Sequence, residues 1–245
     1  MKMNDPVAAY FDKLPETHKR QFEERASGAN FSFQQRLTLA SELATESSGR
    51  LLDCAAGTGE ITCALLKAGR FEHATVIDIS EGMLQSAKEL LTSQVANVEL
   101  EFVHLDVFNF KPTHSRFDLV LCLGLIAHTG RVDILLSHLK SVLTPVGRII
   151  LQTTLLDHLG TRVVHALTSR RELAQRGYRV SWFSQQDIAD ACHNAGLQIL
   201  ETRRHSLGIP FADRFWPWAN FQLERRLQKW AGRTGADAIY LLGAT

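Results

Sequence analysis

The sequence predicts a single α/β domain: a doubly wound, mostly parallel sheet of seven strands, helices on both faces, and an antiparallel last strand. Three observations carry that expectation. Short apolar runs alternate with amphipathic helical patterns through the middle of the chain. The runs are continuously apolar rather than alternating, as strands covered on both faces must be. The chain's 245 residues, 45% of them hydrophobic and 22% charged, suffice for one full core.

The first 46 residues read as a helical cover separate from that core. Asn4-Asp5-Pro6 can start a helix that carries Val7, Tyr10 and Phe11 on one side, and a second helix is expected from Phe33 to Thr45. The strands follow as RLLDCA (50–55), HATVIDIS (73–80), VELEFVHLDV (98–107), FDLVLCLGL (117–125) and GRIILQTT (147–154). Helices EITCALLKAG and EGMLQSAKELLTS fill the first two gaps, and RVDILLSHLKSVL fills the last. Residues 155–183 look irregular and partly helical. Ser184 then caps a helix, with Asp187 three residues on and Gly196 ending it. LQILETRRH and DAIYLLGA supply the last two strands, and an aromatic insert lies between them.

The totals narrow the function classes. A formal net charge of +1 gives no global reason to expect nucleic acid. The four cysteines form no CxxC pair and no metal-ligand spacing with histidine, so no metal is expected and they read as reduced core residues of a cytoplasmic protein. The first residues are too polar for a signal peptide, and no apolar stretch reaches membrane-spanning length.

The chemistry sits in LLDCAAGTGEIT (51–62). A bare strand-to-helix turn lets a ligand approach the main chain. The dinucleotide fingerprint fails, because Thr62 stands where a third glycine belongs after Gly57 and Gly59. Asp53 at the mouth of the loop would repel a pyrophosphate and favour a cationic ligand. A second acid, Asp78, ends the next strand and suits a ribose diol. A third, Asp106, ends the strand after that and suits an adenine amine. S-adenosylmethionine, cationic and free of phosphate, fits this row.

LLDCAAGTG, DISEGML, LDV and FDLVLCLGLIAH together resemble the class I S-adenosylmethionine-dependent methyltransferases. The similarity is greatest to the small-molecule branch, which includes the quinone-biosynthesis and magnesium-protoporphyrin enzymes. It spans roughly residues 48–154, with FSQQDIADACHNAGLQILE also typical, and Ala55 replaces the family's first loop glycine. The resemblance implies a Rossmann-like sheet, with 1–46 as cover, 47–154 as cofactor-binding core and 155–245 as substrate side. It places Asp53, Ala55, Gly57 and Gly59 around the methionine part of the cofactor, Asp78 on the ribose, and Ile79 and Met83 along the adenosine. Asp106 and Val107 take the adenine, Cys122 and Leu123 follow the fourth strand near the cofactor, and Arg36 holds the cofactor carboxylate. It implies in-line methyl transfer to an oxygen or nitrogen of a small-molecule acceptor, apolar or lipid-linked, leaving S-adenosylhomocysteine. His128, just past the fourth strand, stands where a base for the acceptor would be.

Each residue also has a plainer reading. Asp53 or Asp78 could cap the helix that follows, and Asp106 could be a turn residue. Cys54 and Cys122 read as packing rather than as nucleophiles, and His128 could be a rim histidine bonded to backbone. Residues 203–233 carry seven cations against two acids, net +5, which leaves −4 for the rest. With Trp216, Trp218, Trp230, Phe211, Phe215 and Phe221 there, that stretch reads as a lid over the acceptor, or as a peripheral contact (207–235) with an anionic membrane. The plainest reading packs Leu223, Leu227 and Trp230 on the core. The rival functions are an RNA methyltransferase, which lacks its base-flipping motif here, a nicotinamide dehydrogenase, disfavoured by Thr62 and Asp53, and a cofactor-binding protein without turnover. The acceptor and the oligomeric state stay open.

Overall fold

The computed structural model describes residues 5–14, 26–112 and 116–245. Seven strands form one sheet: β1 (Gly49–Cys54), β2 (Phe71–Asp78), β3 (Glu99–His104), β4 (Phe117–Leu123), β5 (Leu143–Thr154), β6 (Leu197–His205) and β7 (Asp237–Ala244). Their spatial order is β3-β2-β1-β4-β5-β7-β6. The pairs among β1 to β5 are all parallel, while β7 runs antiparallel to both β5 and β6. This is the expected Rossmann-like sheet with its reversed last strand.

Two cores explain why the interior strands read as unbroken apolar runs. Successive side chains on a strand face opposite ways. Leu52, Val120 and Ile149 enter one core, and their neighbours Leu51, Leu121 and Ile150 enter the other. All six are buried. The chain leaves β1 for β2 and β3 on one side, then crosses to β4 on the other. That reversal splays the connections apart at the carboxyl ends of β1 and β4, where such sheets open a ligand crevice.

The helices are α1 (Pro6–Phe11), α2 (Gly28–Leu43), α3 (Glu60–Lys67), α4 (Glu81–Gln94), α5 (Ile126–Thr129), α6 (Val132–Ser141), α7 (Leu159–Arg176), α8 (Gln185–Asn194), α9 (Ala212–Phe215), α10 (Pro217–Arg226) and α11 (Gln228–Thr234). The capping box at Ser184 and Asp187 forms as expected, a feature worth about 1 kcal/mol. Two helices exceed their expectation. α2 begins at Gly28 rather than Phe33, because Ser27 accepts from Asn30 N–H and the carboxylate of distant Asp213 accepts from Gly28 and Ala29 N–H, each at 2.7 Å. The 155–183 stretch holds one continuous helix, α7, with Leu159 and Leu167 exposed.

The insert corrects a third expectation. Leu223, Leu227 and Trp230 do not pack on the core; they face solvent, Trp230 at 58% exposure. The buried side of α10 is Asn220 and Glu224. Asn220 donates to Asp213 at 2.8 Å, and Phe221 meets Phe31 of α2 edge-on at 5.9 Å. Both Glu224 oxygens accept the Leu207 N–H at 2.9 Å. The insert therefore clamps the start of α2 through polar contacts and leaves its aromatic side outward.

Candidate active site

The β1–α3 turn begins where β1 ends at Cys54. Ala55 N–H and Ala56 N–H both donate to Ile77 O, at 2.8 and 3.2 Å, which ties the turn to β2. Ala55 sits at φ +67°, a left-handed conformation that costs an alanine of order 1 kcal/mol and explains why a glycine would be natural there. Gly57, at φ +58°, has open space where a Cβ would stand. Its N–H donates to Asp78 Oδ2 at 2.9 Å, while Ser80 N–H donates to Oδ1 at 2.9 Å. Asp78 is thus fixed by two backbone donors with lone pairs to spare.

Asp53 is buried at the floor of this turn and hydrogen-bonded by the Thr62 hydroxyl. It caps no helix, since Gly59 is the N-cap of α3 and Ser80 that of α4. Burial raises the Asp53 carboxyl to about 7; the Thr62 bond opposes the rise and the Asp78 charge adds to it. Burial likewise raises Asp78 to about 6, against its two backbone bonds and His104. Two buried carboxylates held this near neutrality, with no cation among the described residues bonded to either, form a place suited to a cation.

These groups open on a cavity of 280 Å³ that Arg36, Asp53, Ala55, Gly57, Asp78, Ile79, Met83, Leu123 and His128 all line. A second cavity of 210 Å³ is lined by Asp106 and Val107, and shares Ala55, Asp78, Ile79 and His128 with the first. The two form one groove along the strand ends. Asp106 also serves its turn, accepting from Phe108 N–H at 3.0 Å. Two residues stand elsewhere. Cys122 is fully buried in the core, its thiol pushed far up by desolvation. Gly59 lies against α4, where a Cβ would come within 3.0 Å of the Ala87 Cβ, so it permits helix approach rather than lining the groove.

Arg36 closes the far end of the groove. Its Nε is buried without a hydrogen-bond partner among the described residues, and burial lowers its pKa against the pull of Asp237. A buried guanidinium with an idle donor suits a carboxylate. α1 covers the groove from above with Val7 and Phe11, and Ser80 donates to Asp12 at 2.7 Å just beyond it. His128 pairs Nδ1 with the Tyr178 hydroxyl at 3.1 Å and meets Phe11 edge-on at 5.1 Å. Burial first and Arg176 second press its pKa down to about 4, so the ring is neutral at physiological pH and a feeble proton acceptor.

Sequence reasoning missed Thr62 as a partner, having read it only as a departure from a glycine pattern. It also missed Glu60, which lines the first cavity from the first turn of α3. A carboxylate immediately after the loop glycines was the available signal. Among the described residues no group of three or more His, Cys, Asp or Glu could hold a metal ion, and no helix is long and apolar enough to cross a membrane.

Residues 22–202 match a family model described as a methyltransferase domain. The ubiquinone/menaquinone biosynthesis C-methyltransferase of Roseobacter denitrificans is 25% identical over 190 residues, 71% of this chain and 76% of that one. The magnesium protoporphyrin IX methyltransferase of Synechocystis, solved with bound S-adenosylhomocysteine, aligns at TM-score 0.70 and 19% identity over 98% of both chains. A cyclase, SpnF, aligns at TM-score 0.68 and 13% identity over 98% of this chain and 96% of its own. At such identities the structural likeness speaks for the fold, and the reaction must be argued from the site.

Proposed function

The chain belongs to the family of methyltransferase domains, and on that premise we propose how its residues serve the reaction. It is a class I S-adenosylmethionine-dependent methyltransferase acting on a small-molecule acceptor. When bound, the cofactor would supply a sulfonium methyl group for in-line transfer to an acceptor atom, with S-adenosylhomocysteine as the leaving group.

The observation that carries the reading is the acid row: Asp53, Asp78 and Asp106 on one groove, with bare backbone at Gly57 and the unpartnered Arg36 Nε at its end. Asp78, pinned by Gly57 and Ser80, would accept from the ribose hydroxyls. Asp53 and Glu60 would offset the positive charge of the methionine part, and Arg36 would take its carboxylate. Ile79 and Met83 would pack the adenosine, with Asp106 and Val107 at the adenine. α1 would exclude water. His128, neutral and braced by Tyr178, would orient the acceptor by a hydrogen bond, and the rate would rest chiefly on alignment.

In the same proposal, residues 47–154 form the cofactor-binding core, 1–46 a cover from which Arg36 reaches the cofactor, and 155–245 the substrate side. A specific observation also supports peripheral membrane contact through 207–235. Trp216 (67%) and Trp218 (66%) are largely exposed beside the exposed Arg214, Arg225, Arg226 and Lys229. This is an outward amphipathic surface suited to an anionic bilayer and an apolar acceptor.

Calorimetric titration with S-adenosylmethionine and S-adenosylhomocysteine tests the core of the reading. Micromolar-range binding that collapses in Asp78→Ala is expected. Folded protein that binds neither ligand would refute it, and binding without turnover on any acceptor would favour the idle cofactor-binding protein.

A further inference from the structure

A third cavity, of 210 Å³, opens beside the groove, and its charge is opposite in sign. The first cavity is lined by Asp53, Glu60 and Asp78 against Arg36, and the second by Asp5, Asp78 and Asp106 against Arg131, so acids outnumber cations in both. The third has no acid among its lining residues and two guanidinium groups, Arg36 and Arg176. It joins the first cavity at Arg36, Gly124 and His128, next to where the fourth strand ends.

Its polar groups are unspent. Gln152 is buried at 2% exposure, and its Oε1 has no hydrogen-bond partner. It sits on β5 beside Leu123 of β4, so it forms part of the rigid sheet edge. Arg176 ends α7 and is held in place from the other side. Its guanidinium lies over the Tyr10 ring at 5.3 Å and beside the Tyr178 hydroxyl, whose burial-raised pKa it lowers. A guanidinium in the wall of a pocket whose lining residues include no acid is a ready partner for an anion. Trp182 and Val180 add an apolar wall.

We infer that this cavity receives the methyl acceptor and that the acceptor carries a carboxylate, held by Arg176, on an otherwise apolar or aromatic body. The inference rests on the methyltransferase reading and deepens it. With Arg36 occupied by the cofactor carboxylate, Arg176 is the cation left for the acceptor. Its planar fork matches a carboxylate in two parallel hydrogen bonds. The Gln152 Oε1 accepts a hydroxyl or amine hydrogen of the same molecule, so the pocket reads an acid at one end and a donor at the other. The division of sign also keeps order: the acid-lined groove disfavours the acceptor anion, and the basic cavity disfavours the cofactor's sulfonium and ammonium.

The test uses the full chain saturated with S-adenosylhomocysteine, with saturation verified by calorimetry. Benzoate and 3-phenylpropionate are then titrated beside their methyl esters, with the Trp182 indole resonance reporting contact with the cavity. The acids should bind at least about tenfold more tightly than their esters and shift Trp182. Arg176→Ala should erase that preference, and Arg176→Lys should keep part of it. Both variants should bind S-adenosylhomocysteine as the parent does. Acids that bind no better than esters overturn the inference, as does an acid preference that survives Arg176→Ala. Loss of S-adenosylhomocysteine binding in Arg176→Ala also overturns it, because Arg176 would then belong to the cofactor. If the parent chain fails to bind S-adenosylhomocysteine at all, the methyltransferase reading falls first and this one falls with it.

Discussion

Cofactor affinity should climb steeply as pH rises from 5.5 to 7.5, because the two carboxylates that face the ligand's positive and hydroxyl groups are held near neutrality before it binds. In the free protein burial sets Asp53 at about 7 and Asp78 at about 6. With those values Asp53 is about 3% ionised at pH 5.5 and about 75% at pH 7.5, a roughly 25-fold change. Asp78 goes from about 25% to nearly full ionisation, roughly 4-fold more. If the bound state keeps both groups ionised, the product is about 100-fold in affinity, close to 3 kcal/mol. Isothermal titration with S-adenosylhomocysteine across that range measures it, and proton release on binding, read from two buffers of different ionisation heat, gives an independent count. Asp53→Asn should flatten most of the slope and weaken binding at pH 7.5. Thr62→Val should displace the curve to higher pH, since the Thr62 hydroxyl is what holds the Asp53 carboxyl down. An affinity constant to within threefold from pH 5.5 to 7.5 would refute the reasoning.

Three more outcomes follow from the same structure. The His128 ring should stay neutral down to about pH 5 in an NMR titration, with its midpoint near 4, and Arg176→Ala should raise that midpoint by removing a nearby positive charge. A midpoint near the ordinary 6.5 would restore His128 as a conventional base. Glu224 is raised by burial from 4.5 to about 7, so the folded state binds its proton more tightly than the unfolded chain does. Folding stability should therefore fall as pH rises through 4.5 to 7, by up to about 3 kcal/mol from this group, with Asp53 and Asp78 acting in the same direction. Scanning calorimetry of ligand-free protein should show the decline, and Glu224→Gln should make it shallower. Replacing both Trp216 and Trp218 by alanine should change stability by no more than about 0.5 kcal/mol, given their exposure. The same pair should abolish sedimentation with vesicles containing phosphatidylglycerol; unaltered sedimentation would place the membrane contact elsewhere.

Most of the sheet was legible because its strands are buried on both faces, and that condition writes an unbroken apolar run into the sequence. The groove was legible for a related reason. Carboxylates at strand ends beside a bare loop are not what a folding core asks for, so Asp53, Asp78 and Asp106 stood out against their apolar strands. Cys122 illustrates the limit of position along the chain. The resemblance placed Cys122 with Leu123 near the cofactor, yet its side chain enters the core while Leu123, one residue on, lines the cavity. A strand end alternates its side chains like any other part of a strand, and only the neighbour's direction decides which one meets the ligand. The start of α2 was illegible because the carboxylate that caps it, Asp213, lies 185 positions away from Gly28.

The insert inverted the usual rule, and the inversion bears on function. Helical spacing of Leu223, Leu227 and Trp230 called for a core, but the core under α10 was taken up by other work. Asn220 and Glu224 point inward because Gly28, Asp213 and Leu207 leave backbone donors and a carboxylate there that need partners. Gly28 must be a glycine for this to fit, since a Cβ would fall 2.1 Å from the Asn220 amide nitrogen. Satisfying those groups at the base of the insert fixes α10 by polar contacts and turns its apolar side to the outside. An isolated exposed tryptophan needs no explanation, but three on one basic insert oppose the hydrophobic effect together. The polar clamp fixes the base of α10 without burying these rings, so the aromatic side stays exposed on the outside of the insert.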